Sequence, residues 1–162
     1  MENGETEGYP GFTISGIANV PGLSESLGKK PNVILLHAGT NEFTKHETGE
    51  DPEKASERLE HLIDSLLEKA PGATLIVAQI IHCPQQTFKD RIPVFNEAIP
   101  KIVARKAEAG HKILTVDMSK IGHEGSGDLA DDLHPSDQGY EKMAKLWYEA
   151  LGTASEKKWI TA

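Results

Sequence analysis

The sequence is short of cysteine, of basic residues and of long apolar runs. Its 162 residues include one cysteine, Cys83, which excludes an internal disulfide and a four-thiolate zinc site. Seventeen Lys and Arg oppose 25 Asp and Glu, giving a formal net charge of −8. Such a balance argues against a surface that binds nucleic acid by neutralising phosphates. No apolar run approaches the roughly 20 residues of a membrane-spanning helix. We therefore expect neither nucleic acid nor a membrane as partner.

The first ten residues, MENGETEGYP, lack the basic and apolar blocks of a secretory signal, and they leave the compartment undetermined. A length of 162 residues with 38% hydrophobic residues suits one folded domain. We predict that this domain occupies residues 1–152 and that residues 153–162 form a polar tail.

Three short apolar runs predict strands that are buried on both faces. They are PNVILLHA at 31–38, ATLIVAQII at 73–81 and KILTVD at 112–117. Helical patterns follow them at about 51–70, 90–109 and 136–151. Strands that alternate with helices predict an α/β fold in which helices cover both faces of a parallel sheet.

Two of these helices have well-defined sequence signals. Asp51 can cap the first helix, and Pro52 fits its first helical position. Its predicted apolar stripe is Ala55, Leu59, Leu62, Ile63, Leu66 and Leu67. The predicted apolar face of the final helix is Tyr140, Met143, Ala144, Trp147 and Leu151.

In parallel sheets, ligands bind beyond the carboxyl ends of the strands, so the loops at 39–43, 82–85 and 118–135 are the places to search for a site. The last loop contains Asp131 three residues before His134. That spacing allows the carboxylate to hold one ring nitrogen and leaves the other as a general base. A solvated loop is the alternative interpretation of this short motif.

Two further segments offer hydrogen-bond donors for a negative oxygen. Asn41 follows the first strand, where its side-chain amide can donate to an oxyanion, although an Asx-type turn also explains it. Gly11 lies in the turn Gly8-Tyr9-Pro10-Gly11-Phe12, where the absence of a side chain allows a ligand to approach the backbone N–H, although a turn without a binding role also explains this segment.

Taken together, these segments resemble the SGNH or GDSL-like hydrolases, specifically the branch that contains carbohydrate esterases and acetylxylan esterases. The matching blocks are EGYPGFTI at 7–14, PNVILLHAGTNE at 31–42 and DLADDLHPSDQGYEKMA at 128–144. The resemblance implies a three-layer, flavodoxin-like fold with a parallel sheet between helices. It also implies hydrolysis of a small ester or acylated saccharide through a serine acyl-enzyme, without a cofactor. Members of the family are often secreted.

Roles are carried over from the family by position. The resemblance implies that Gly11 and Asn41 are oxyanion donors, that His134 is the general base and that Asp131 orients it. Glu42 stands where the family usually has aspartate, a departure that we expect to affect loop packing more than chemistry.

The family's nucleophile block has no counterpart in this sequence. No Gly-Asp-Ser occurs, and Ser126 in Gly125-Ser126-Gly127 fits flexible spacing better than a nucleophile. We therefore expect the first strands of the fold to be absent through N-terminal truncation. The first predicted strand would then have an exposed edge through which the chain can self-associate.

Several alternatives remain open from the sequence. One alternative is a chain without catalysis, either a ligand-binding pseudoenzyme or an inactive fragment. A metal-assisted hydrolase would use His37, Asp131, Asp132 and His134 as ligands. His37 alone fits a buried, hydrogen-bonded histidine or a residue that lines the site. Cys83 fits a small buried side chain better than a thiolate nucleophile.

Overall fold

The three predicted strands form one parallel sheet. The structure, a computed structural model, describes residues 6–43, 49–85 and 90–160. The strands β1 (Val33–Leu36), β2 (Thr74–Ala78) and β3 (Ile113–Val116) pair in parallel in the order β1-β2-β3. Each strand lies within its predicted range, so the α/β fold with a parallel sheet is confirmed.

Five helices surround this sheet within the described residues. They are α1 (Ile14–Ala18), α2 (Pro21–Gly28), α3 (Ala55–Lys69), α4 (Arg91–Glu108) and α5 (Asp137–Glu156), with short 3-10 turns at Thr40–Glu42 and Pro52–Lys54. The Asp51 carboxylate accepts a hydrogen bond from the Glu53 N–H at 3.0 Å and so caps the 3-10 turn at Pro52–Lys54, whereas α3 itself begins at Ala55, later than predicted. The sequence did not predict α1 and α2, because five and eight residues are too few for a clear helical period.

The sheet separates two apolar layers. Along β2, Leu75 and Val77 contact the layer that contains α3 and α4, whereas Ile76 and Ala78 contact the layer that contains α5. This alternation follows from the two-residue period of a strand. All six residues of the predicted α3 stripe are buried. The chain therefore has the three-layer arrangement that the sequence predicted.

The final helix is longer than predicted. We expected it to end near Leu151, but it continues to Glu156, and Ala154 is fully buried. Residues 153–156, predicted to lie in the polar tail, thus belong to this helix. Beyond it, the Trp159 carbonyl accepts hydrogen bonds from the Thr74 hydroxyl at 3.3 Å and from the Lys112 ammonium at 3.5 Å.

The apolar face of α5 also differs from the prediction. Tyr140 and Ala144, expected to face the core, are exposed. Gly139 is buried in the first turn instead. The packed residues that follow are Met143, Leu146, Trp147, Ala150 and Leu151. Gly139 and these residues recur at helical spacing and therefore share one face of α5. A glycine gives no hydrophobic signal in the sequence, so the prediction missed this position.

One edge of the sheet is exposed. Among the described residues, β1 pairs with β2 and with no strand on its other side. Leu35 in β1 is 43% exposed. This is the edge where the resemblance implies further strands, and the N-terminal truncation stays a prediction. None of the described helices is long and apolar enough to cross a membrane.

Candidate active site

Asp131 and His134 form a hydrogen-bonded pair at the carboxyl edge of the sheet. One Asp131 carboxylate oxygen accepts from the backbone N–H groups of His134 at 2.6 Å and Leu133 at 2.7 Å. The other lies 2.9 Å from His134 Nδ1. Because an ionised carboxylate only accepts hydrogen bonds, Nδ1 of a neutral His134 carries the proton and Nε2 is the basic nitrogen.

The charge of Asp131 is stabilised mainly by the backbone. The His134 N–H, followed by the His134 ring and the Leu133 N–H, lowers the pKa of the Asp131 carboxyl to about 2. Both side chains of the pair are more than half exposed. Asp131 therefore stays ionised at neutral pH and holds an imidazole that solvent or a ligand can reach.

Buried Asp128 anchors the loop that carries this pair. Its carboxylate accepts from Lys142 Nζ at 2.6 Å and from the Gly122 N–H at 3.2 Å, and the Lys142 ammonium lowers the pKa of Asp128. An isolated antiparallel bridge joins Leu129 to Pro135. Sequence reasoning gave Asp128 no structural role, because its partner Lys142 lies on a different element and neither residue forms a recognised motif.

The loop after β2 contacts this loop through His82 and Cys83. Cys83 is buried, and its thiol donates to the Asp132 carbonyl at 2.9 Å. Burial raises the pKa of Cys83, which disfavours the thiolate that a nucleophile requires. The rings of His82 and His123 stack with their centroids 4.3 Å apart. Of the two interpretations of Cys83, the geometry favours a small buried side chain over a thiolate nucleophile.

Gly11 and Asn41 are brought together through Phe12. Gly11 follows Pro10 in a turn closed by a 3.2 Å hydrogen bond from the Phe12 N–H to the Tyr9 carbonyl, and its φ of +77° is one that glycine adopts without strain. The Asn41 side-chain amide donates to the Phe12 carbonyl at 3.0 Å. The two predicted oxyanion donors therefore belong to one hydrogen-bonded unit at the end of β1.

The remaining candidates have other surroundings. His37 Nε2 is buried and has no hydrogen-bond partner among the described residues, so the expectation of a hydrogen-bonded histidine is wrong for this nitrogen. Burial lowers the pKa of His37 to about 4.

Ser126 accepts a hydrogen bond from the Asp128 N–H at 3.2 Å, as part of the turn. Nowhere in residues 6–43, 49–85 and 90–160 do three or more His, Cys, Asp or Glu side chains form a group that could hold a metal ion.

Comparisons with known proteins place the chain in a family. The model of the GDSL-like lipase/acylhydrolase family matches residues 2–142. A protein of Acetivibrio thermocellus, provisionally named endoglucanase X, is 33% identical over 124 residues, which are 74% of this chain and 49% of that protein. A multidomain esterase of Ruminococcus flavefaciens is 30% identical over 162 residues, covering 89% of this chain and 20% of that protein.

Among solved structures, a family 3 carbohydrate esterase of Clostridium thermocellum superposes with a TM-score of 0.72 and 34% identity. The superposition covers 88% of this chain and 66% of that one. The chain thus spans about half of one of the two curated relatives and a fifth of the other. The family match covers most of the sequence, including the loop with Asp131 and His134, and the chain belongs to the GDSL-like lipase/acylhydrolase family.

Proposed function

We propose that this chain carries the acid–base and oxyanion-binding groups of an ester hydrolase that acts on acylated saccharides. The observation that carries the proposal is the Asp131–His134 pair, in which the carboxylate fixes Nδ1 at 2.9 Å and leaves Nε2 as the base. The carbohydrate-esterase relatives support a saccharide as the alcohol part of the ester. The proposed reaction needs no cofactor.

The proposed mechanism is attack by a serine hydroxyl on the acyl carbon. His134 Nε2 takes the hydroxyl proton as the new C–O bond forms, and it later gives that proton to the leaving alcohol. The Gly11 N–H and the Asn41 amide donate to the oxygen of the tetrahedral intermediate. Water then cleaves the acyl-enzyme with His134 again as the base.

We place the serine on a strand that pairs along the exposed edge of β1. An unpaired parallel edge offers backbone N–H and C=O groups to a further strand. Such a strand would end beside the loop that follows β1, which carries Asn41. His37 Nε2, buried at the end of β1 without a described partner, is a polar group that this strand can satisfy.

Hydrolysis of a small activated acetate ester tests the roles of His134 and Asn41. In the chain joined to a strand that supplies the serine, we expect His134→Ala to lower kcat by about 100- to 10,000-fold, the usual contribution of a general base. Asn41→Ala should lower kcat about 100- to 1,000-fold with little change in KM, because an oxyanion donor acts in the transition state. His111→Ala is the matched control, since His111 is exposed and precedes β3 at the opposite end of the strands.

Near-normal hydrolysis by His134→Ala would overturn the assignment of His134. Equal rates for the native chain and all three variants would favour the non-catalytic alternative for the chain taken alone. Joining the chain to a preceding strand that carries Gly-Asp-Ser then decides between the two functions. Activity that depends on His134 supports the esterase, whereas saccharide binding without hydrolysis supports a binding module. Loss of activity with a chelator would indicate the metal-assisted alternative.

A further inference from the structure

We propose that Glu42 is a positioning residue that fixes the two oxyanion donors relative to each other. This inference rests on the proposed function of Gly11 and Asn41. It reverses the expectation that the replacement of the family's aspartate by Glu42 affects packing more than chemistry.

The Glu42 side chain is fully buried and makes charge-assisted hydrogen bonds in two directions. Its Oε1 accepts from the Ile14 backbone N–H at 2.6 Å. Its Oε2 accepts from Arg58 Nε at 3.0 Å and also from the second arm of the guanidinium. Arg58 Nη1 in turn donates to the Asp51 carbonyl at 2.9 Å. One carboxylate therefore links the start of α1 to the start of α3.

Two neighbouring residues of the 3-10 turn after β1 each contact the segment that carries Gly11. Asn41 donates to the Phe12 carbonyl, and Glu42 accepts from the Ile14 N–H two residues further along. Phe12 directly follows Gly11 in the chain. The two contacts therefore fix both the separation and the orientation of the segments 11–14 and 41–42. A shift of the Glu42 carboxylate would move Ile14 and, through the short connection, the Gly11 N–H.

Positioning explains this ion pair better than stability does. Removing two charges from water is costly, and apolar replacements of buried ion pairs often leave stability unchanged or increase it. A carboxylate held by a guanidinium and a backbone N–H, however, has a single well-defined geometry. An aspartate at 42, one methylene shorter, cannot reach both partners unless α1 or α3 moves. The longer glutamate thus suits the separation of these two helices in this chain.

The test compares four variants of the 162-residue chain by NMR. Glu42→Gln keeps the side-chain length and removes the charge, Glu42→Asp keeps the charge and shortens the side chain, and Arg58→Lys is the milder change if position 42 does not tolerate substitution. The control is Glu60→Gln, because Glu60 also pairs with two cations, Arg105 at 2.7 Å and Lys106 at 3.0 Å, on the other side of α3.

We expect Glu42→Gln to accelerate hydrogen exchange of the Ile14 amide by about 10- to 100-fold. The Gly11 amide and Asn41 side-chain amide signals should move at the same time. Glu42→Asp and Arg58→Lys should shift the same signals, while Glu60→Gln leaves them in place. If Glu42 had a purely structural role, its substitution would lower the melting temperature without moving the Gly11 and Asn41 signals.

Native positions of the Gly11 and Asn41 signals in all three site variants would overturn the proposal, as would equal shifts in Glu60→Gln. Because these signals do not depend on turnover, the outcome is separate from that of the hydrolysis assay. Glu42 can position Gly11 and Asn41 even if His134 proves not to be a catalytic base.

Discussion

At the scale of single residues, Asp131 is held by groups that belong mostly to the backbone. Two N–H groups and one ring nitrogen converge on its carboxylate, and the His134 N–H contributes most to its lowered pKa. The backbone N–H groups of the loop thus stabilise the ionised carboxylate independently of the imidazole. The orientation of His134 is a consequence of this turn.

This arrangement predicts the titration of Asp131. Its carboxyl carbon should titrate with a midpoint near pH 2 in the folded chain, against about 3.9 in urea-unfolded chain. His134→Ala should raise the midpoint only part of the way, because the backbone donors remain. Since the folded pKa is the lower one, Asp131 stabilises the fold above about pH 3.9, and this contribution is lost as the pH falls to about 2. A variant midpoint equal to the unfolded value would contradict the dominance of the backbone.

At the scale of elements, the first turn of α5 is packed directly against the loop that carries the pair. A Cβ added at Gly139 would lie 2.1 Å from the Asp128 carbonyl oxygen and 3.1 Å from Pro135 Cβ. Ser136 caps the helix by accepting from the Gly139 N–H at 3.2 Å. The close approach of the helix to the loop therefore requires a residue without a side chain.

Gly139→Ala should lower the free energy of unfolding by about 1–3 kcal/mol, because backbone on both sides must shift. Gly152→Ala in the same helix is the matched control, since a Cβ there meets nothing within 4 Å. It should be neutral or stabilising by up to about 1 kcal/mol through helix propensity. Urea denaturation of both variants measures the difference in the free energy of unfolding. Equal effects would show that the loop and helix move apart at Gly139 without loss of stability.

At the scale of the whole molecule, the sheet is buried at β2 and exposed along β1. Every residue of β2 is buried, whereas Leu35 in β1 is 43% exposed. His37 follows β1 with its Nε2 buried, and burial depresses its pKa to about 4. Protonation of His37 therefore opposes folding of the entire domain.

The free energy of unfolding should consequently depend on pH through His37. The unfolded chain binds the proton near pH 6.5 and the folded chain only near 4, so this contribution is fully present above about pH 6.5 and is lost as the pH falls towards 4. The loss from His37 is about 3 kcal/mol. His37→Leu should show a correspondingly flatter pH dependence in urea denaturation between pH 4 and 6.5. Parallel curves for the two proteins would contradict the prediction.

The sequence by itself determined the strands, the α3 stripe and the main candidate residues. Continuous apolar runs and i, i+3, i+4 repeats are local signals, because burial on both faces or on one stripe restricts residue type at each position. The Asp131-x-x-His134 spacing is equally local, and the structure shows the predicted hydrogen bond within it.

Only the tertiary structure decided which distant residues hold the site. The partners of Glu42 are 28 and 16 residues away, and Lys142 is 14 residues from Asp128. The buried position of Gly139 likewise depends on a loop that precedes its helix. Such pairings depend on how helices and loops meet at the carboxyl edge of the sheet, which no local period encodes. The linear pattern therefore identified the groups that we propose to react, and the packed fold revealed further residues that hold their loops in place.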